Sequence, residues 1–244
     1  MNYKRSSRYV SNWTILATDM AWWRIFSPSA PELRDFVKTY LREVARPIPK
    51  EKRISELTFL VLDTETTGLD PKSDYILSYG SVFVKGNSIP LQQAREMYLN
   101  AKKTSIEAIK VHELLPTLSF SSREELIRTF LKDASNHVLV GHHLSFDLAM
   151  LERAGRDYGL AKIENPVIDT LELGIRLELG KHRDPRMINY QEFSLDAMCQ
   201  RYGVSLDDRH TATGDAFATA QLLIKLLRKA SDKGIHFFGE LMET

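Results

Sequence analysis

The chain has 244 residues, 43% of them hydrophobic and 27% charged, with one cysteine and a net charge of +1. This composition is that of an ordinary globular protein; it excludes an internal disulfide and a thiolate metal site, and no stretch reaches the ~20 apolar residues that a membrane-spanning helix requires. The near-neutral total hides an asymmetry, because residues 1–55 carry 11 Lys/Arg against 5 Asp/Glu and the remainder 22 against 27. A basic extension on an acidic body suits contact with phosphates or an acidic partner; an amphipathic helix folded against the body is the alternative. Lys4, Arg5 and Arg8 open the chain, but Asp19 and Arg24 interrupt the apolar segment that follows, so a signal peptide is not expected and a reducing cytoplasmic setting is. Cys199 reads as a small residue in a helix core.

An aromatic-rich stretch (Tyr9, Trp13, Trp22, Trp23, Phe26) comes first and is expected to dock on other parts of the structure. After Pro31, Leu33, Phe36, Val37, Tyr40, Leu41 and Val44 recur at helical spacing, and Pro47 and Pro49 end that helix. Residues 1–55 thus form a basic, largely helical extension, 56–232 the main domain, and 233–244 a tail. Strands are predicted at Leu57–Asp63 and Tyr75–Val84, with Gly68, Asp70-Pro71 and Asp74 between them, and a weaker strand near Glu96–Asn100 after a Gly86-Asn87 turn. Ser121/Ser122 with Glu124/Glu125 is a capping box opening a helix through Leu126 and Phe130. A short strand at His137–Val140, a helix at Leu144–Tyr158 and a strand at Val167–Asp169 follow. Helices are then expected at Leu171–Leu179, Ser194–Tyr202 and about Thr213–Ser231. A meander followed by alternating strand and helix implies an α/β fold, a mixed sheet covered by helices.

Asp63 and Glu65 end a hydrophobic strand one residue apart, so they project to one face. Carboxylates are depleted in strands and seldom buried without partners, and two on one face are suited to bind a hard cation. Gly141-His142-His143-Leu144-Ser145-Phe146-Asp147 runs from a strand through a tight turn into a helix that carries an acid near its start; His142 and His143 are expected to serve the turn rather than a metal. His210 and Asp215 are five residues apart, which on one continuous helix separates them by roughly 140°. They meet only if His210 lies in a loop and Asp215 in the first turns of the helix. Gly214 beside Asp215 suits close packing at a helix start.

Asp63, Glu65, Asp147 and Asp215, with His210 five residues before the last, resemble the DEDDh family of 3′→5′ exonucleases, which includes the proofreading epsilon subunit of bacterial DNA polymerase III. The first motif runs Leu60-Val61-Leu62-Asp63-Thr64-Glu65-Thr66-Thr67-Gly68-Leu69. The second is Gly141-His142 with Phe146-Asp147, and the third His210 with Gly214-Asp215-Ala216. Val111-His112, Asp169-Thr170-Leu171 and Ser194-Leu195-Asp196-Ala197 also match, so the resemblance covers about residues 57–230. It implies a ribonuclease H-like fold and a metal-dependent exonuclease acting on a single-stranded DNA or RNA 3′ end, with DNA favoured.

The resemblance also implies two divalent cations, Mg²⁺ or Mn²⁺, held by Asp63, Glu65, Asp147 and Asp215. His210 becomes the general base, a role suited to an imidazole, whose usual pKa is ~6.5. It puts Thr66 and Thr67 at the terminal nucleotide through their N–H groups, with Gly68 beside them and Leu69 against the base; His142 and Phe146 join the substrate-binding set. Like-charge repulsion agrees: two carboxylates ~4 Å apart repel by about 4 kcal/mol at an effective dielectric of 20, so four together need cations or protons. Two positions depart from the family pattern, His143 where Asn is usual and Ser78 where an acid is usual. The basic loop Lys181-His182-Arg183-Asp184-Pro185-Arg186 either tracks a nucleic-acid backbone or is solvated, with solvation favoured. Residues 1–50 could recruit a polymerase or repair protein; RNA processing and an adaptor module with weak nuclease activity are the alternative functions.

Overall fold

The computed structural model describes residues 31–99 and 120–243. The aromatic stretch from Tyr9 to Phe26 and the Val111-His112 pair therefore lie outside the described residues. Six strands form one sheet: β1 (Thr58–Thr66), β2 (Ile76–Lys85), β3 (Arg95–Leu99), β4 (Phe120–Ser121), β5 (Val138–Gly141) and β6 (Val167–Asp169), in the spatial order β4-β3-β2-β1-β5-β6. β2 runs antiparallel to both β1 and β3, whereas β5 is parallel to β1 and β6 to β5. The helices are α1 (Asp35–Val44), α2 (Arg123–Ala134), α3 (Ser145–Gly155), α4 (Thr170–Leu179), α5 (Leu195–Tyr202), α6 (Ala212–Asp232) and α7 (Phe238–Met242). This is the mixed, helix-covered sheet expected from the sequence.

β1 is buried on both faces, which explains its unbroken apolar run. Phe59 and Val61 pack into one hydrophobic cluster with α4, α5 and α6, while Leu60 and Leu62 pack into another with α1, α2 and α3. Strand periodicity then carries Asp63 and Glu65 onto the α6 side and Thr64 onto the α3 side. β1 also runs three residues beyond its predicted end at Asp63, so both acids stand on the strand itself. The register shifts between Glu65 and Thr66, where Leu77 is skipped and Thr66 pairs with Ile76.

The apolar stripe of α1 packs on the body. Val37 and Tyr40 are fully buried, and the Tyr40 hydroxyl donates to Asn165 Oδ1 at 2.8 Å while accepting from the Glu164 N–H. Asn165 in turn donates to the carbonyls of Ala134, Ser135 and His137, tying α1 to the entry of β5. Ser122 and Glu125 form the predicted capping box at the start of α2. Two elements were absent from the sequence reading. β4 is a two-residue pairing on β3, and α7 lies in the last residues with Phe238 and Leu241 buried. No helix among the described residues is long and apolar enough to cross a membrane.

Candidate active site

The site forms where the C-terminal end of β1 meets the first turn of α6. Asp63 pairs with Gly80 on β2, and Glu65 with Ser78. A Cβ at Gly80 would overlap the backbone of Ala212 and Thr213, so only glycine lets the start of α6 lie directly on the strand beside Asp63. His210 stands in the loop before α6 with a φ of 65°, and Asp215 lies in the first turn of the helix. The condition for bringing them to one place is thus met. Thr211 caps the helix by accepting from the Gly214 N–H, and a Cβ on Gly214 would overlap the Asp208 carbonyl.

Asp63, Glu65 and Asp215 each offer a carboxylate oxygen, and the three lie within 4.8 Å of one another. Burial, followed by the charges of Asp147, Asp215 and Glu65, pushes the Asp63 carboxyl up to about 9. Burial and then Asp215 also raise Glu65, with His210 acting in the opposite direction. A proton or a cation must neutralise such a cluster. Hard oxygen donors on three half-buried side chains fit a divalent ion of the Mg²⁺ or Mn²⁺ kind.

Asp147 reaches the site from α3, on the other face of the sheet. It is buried, and its Oδ1 accepts from the Thr64 N–H at 2.9 Å and the Thr64 hydroxyl at 2.6 Å. These two hydrogen bonds hold its carboxyl down against burial, which leaves it raised to about 6. It stands beside the three-carboxylate group rather than within it, and its effect on Asp63 is through charge.

The turn that presents Asp147 is held by Asp169 at the end of β6. Its carboxylate accepts from the N–H groups of His143, Leu144 and Leu171 at 3.0 to 3.2 Å. His143 has a φ of 63°. Asn tolerates this left-handed conformation well, which gives a physical reason for the family's usual residue there. His142 turns inward, with Nδ1 at 2.9 Å from the Thr170 hydroxyl and Nε2 buried; burial and then neighbouring His143 depress it to about 4, leaving a neutral ring. Phe146 is half-buried against the α1–α3 hydrophobic cluster.

The loop after β1 alters one expectation. The Thr67 N–H donates to the Tyr75 carbonyl at 3.0 Å, and its hydroxyl donates to Asp74 at 2.9 Å, so Thr67 closes the loop and offers no free N–H. Thr66 donates its hydroxyl to the Gly68 carbonyl at 2.7 Å. Leu69, in the loop after β1, is 87% exposed, an apolar side chain left in solvent.

Sequence reasoning did not assign Gly80, Thr64 or Arg209 a role. Arg209 pairs with Asp215 and, through Nε at 2.6 Å, with Asp196 at the start of α5. A lone Arg before His210 carries no periodic signal, whereas Thr64 was visible as the residue between two acids. In the basic loop, Arg186 pairs with Asp184 and Arg183 with Glu172, so much of its charge is already neutralised.

The RNase_T family model, described as exonuclease, matches residues 60–223. DNA polymerase III PolC-type of Bacillus subtilis is 34% identical over 197 residues, covering 78% of this chain and 13% of the relative. The Bacillus cereus protein of the same name is 31% identical over 193 residues, with the same two coverages. The chain therefore spans about an eighth of the length of these curated relatives. Among solved structures, E. coli exonuclease I in complex with a dT13 oligonucleotide superimposes with a TM-score of 0.56 at 15% identity, covering 73% of this chain and 43% of that one. Exonuclease I bound to SSB-Ct gives 0.56 at 14% identity, with 72% and 42% covered. These likenesses support the ribonuclease H-like fold.

Proposed function

The chain belongs to the exonuclease family, in its DEDDh 3′→5′ branch, and from that premise we propose that it hydrolyses single-stranded DNA from the 3′ end in a metal-dependent reaction. The observation that carries the reading is the set of three carboxylates, Asp63, Glu65 and Asp215, within 4.8 Å at the end of β1. DNA is favoured because the named relatives are DNA polymerases and the solved neighbours include a complex with a DNA oligonucleotide. Those relatives are far longer than this chain, so a polymerase or repair context is part of the proposal, with residues 1–50 as the recruiting segment and the cytoplasm as the setting.

Asp63, Glu65 and Asp215 would hold the cations, and Asp147 would lend the carboxylate oxygen that Thr64 leaves free. Two bound divalent cations, Mg²⁺ or Mn²⁺, would supply electrostatic stabilisation of the attacking and departing oxygens. His210 takes the proton from the attacking water; its exposed position in the loop before α6 lets the proton pass on to solvent. Leu69 packs against the terminal base, and Thr66 with Gly68 shapes the loop beneath it. His142 supports the turn before Asp147 from inside, and Phe146 anchors the same helix start.

The test uses the full chain and 5′-labelled single-stranded DNA and RNA of matched sequence, with Mg²⁺, with Mn²⁺ and with EDTA. A ladder shortening from the 3′ end, abolished by EDTA and by Asp63→Ala, is expected, with DNA cut faster. Cleavage of a circular strand, or no release from either polymer, rejects the reading. Loss of activity in His210→Ala with metal binding retained supports the general-base role.

A further inference from the structure

A second pocket lies at the opposite end of α6 from the carboxylates, and it is basic although the body that carries it is acidic. It encloses about 510 Å³ between the segment entering β1, the β2 turn at Gly86-Asn87 and the last turns of α6. Lys225, the first α6 cation lining it, is ten residues beyond Asp215, or roughly 15 Å along the helix. The pocket thus shares an element with the candidate active site but none of its residues.

Three cations line it: Arg53, Lys225 and Arg228. No Asp or Glu is among the lining residues, and none of the three cations has an ion pair within the described residues. This contrasts with the neighbouring Lys229, which contacts the Tyr202 hydroxyl at 3.1 Å and Glu178 at 3.9 Å. Arg53 is set in place by stacking, its guanidinium carbon 5.5 Å from the centre of the Phe237 ring, with its N–H fork free of side-chain carboxylates. Glu240 in α7 turns its carboxylate to the N–H groups of His236 and Phe237. Between the cations the walls are apolar, formed by Ile54, Leu227 and Ile235.

We propose that this pocket binds an acidic peptide segment carrying an apolar side chain, contributed by a partner protein. The cations meet its carboxylates, and the Ile54–Leu227–Ile235 wall receives the apolar residue. A nucleic-acid strand fits less well, because no Phe, Tyr or Trp lines the pocket to stack a base, His236 is its single ring, and the Phe237 ring behind it is covered by Arg53. Residues 1–30 of this chain are excluded on charge, since they carry four Lys/Arg and one Asp. Closely spaced cations without counter-charges repel one another, and an acidic segment relieves that repulsion.

The probe is a fluorescein-labelled hexapeptide, Glu-Asp-Glu-Asp-Leu-Leu with a free C-terminus, titrated with the full chain and followed by fluorescence anisotropy. Saturable binding that weakens with salt is expected. Arg228→Glu and Lys225→Glu should each weaken it tenfold or more, and the neutral Arg53→Gln several-fold. Release of nucleotides from an unrelated single-stranded DNA should stay at the wild-type rate in all three, which also shows that they fold. A peptide with Lys in place of its acids should not bind. The proposal is overturned if the acidic peptide binds wild type and Arg228→Glu equally, or fails to bind at low salt. It also fails if a 3′-blocked oligonucleotide displaces the peptide, which would make the pocket a nucleic-acid groove, or if Arg228→Glu instead abolishes self-association, which would make the occupant a second copy.

Discussion

Gly80 lies directly opposite Asp63 across β1 and β2, and its missing side chain is the space into which the start of α6 fits. The fit joins two parts of the site that are distant in sequence: the strand bearing Asp63 and Glu65, and the helix bearing Asp215. Gly80→Ala forces the Ala212–Thr213 backbone off the strand. Overpacking of this kind costs about 1–3 kcal/mol, and the displacement moves Asp215 from the other two carboxylates. Nuclease activity should fall by two orders of magnitude or more while the protein remains folded. A circular dichroism melt beside the oligonucleotide assay checks both; full activity in a folded Gly80→Ala protein would contradict the packing argument.

Arg209 acts as an internal counter-ion to Asp215, bridging it to Asp196. Any cation that takes the Asp215 oxygen competes with that ion pair. Arg209→Gln therefore lowers the stability of the metal-free protein and raises its apparent affinity for Mg²⁺ or Mn²⁺, roughly three- to tenfold given the worth of a partly buried pair. The metal-induced rise in melting temperature should be larger in the variant than in wild type. An unchanged rise would mean that Arg209 does not contest the site.

The carboxylates were legible in the sequence because local rules act on them: period 2 places Asp63 with Glu65, and a helix start after a loop brings His210 towards Asp215. The strand and helix order was legible for the same reason, since β1, β5 and β6 are apolar runs bounded by turns. What was not legible depends on partners far apart in the chain. Gly80 has meaning only against Ala212, Asn165 only against Tyr40, and Thr64 only against Asp147, 83 residues away. Thr67 shows the limit of analogy within a loop. Its N–H is taken by Tyr75, a bond set by the closure of the β1–β2 connection and invisible in the motif itself.

The raised Asp63 carboxyl has a consequence for stability against pH. Its ordinary value in an unfolded chain is ~3.9, and in the fold it reaches about 9, chiefly through burial and then the neighbouring carboxylates. Across that window the metal-free native state keeps a proton that the unfolded state has released, so stability from this group is present at acid pH and declines as pH rises towards about 9. Deprotonation also frees the site for a cation. The melting temperature in EDTA should fall from mildly acidic to alkaline pH, and the increment from added Mg²⁺ should widen over the same range. Asp63→Asn should flatten both trends, leaving the smaller share that the raised Glu65 and Asp147 carboxyls contribute; if it leaves the slope unchanged, those groups and not Asp63 are responsible.

Asp169 holds the turn before Asp147 by accepting three N–H groups, so Asp169→Ala leaves His143, Leu144 and Leu171 without their acceptor. The expected cost is about 2–3 kcal/mol, the sum of a lost helix cap and unsatisfied donors. Asp147 should lose its alignment with Thr64 at the same time. Chemical denaturation should show the loss of stability, and turnover should fall more than substrate affinity.

His143 tests the same turn in the opposite direction. It holds a φ of 63°, a left-handed conformation that costs a residue with a Cβ about 1–2 kcal/mol. Asn adopts it more readily, because its short polar side chain bonds locally, and the His143 N–H remains available to Asp169 in the variant. The imidazole is exposed, so its loss removes little packing. His143→Asn should therefore stabilise the protein by roughly 0.5–1 kcal/mol, and His143→Gly should show less gain because glycine adds freedom to the unfolded chain. Urea unfolding of the two variants beside wild type measures the order. If His143→Asn is destabilised, the imidazole makes a contribution beyond occupying the turn, and its edge-to-face contact with His142, 5.3 Å between ring centres, becomes the first place to look.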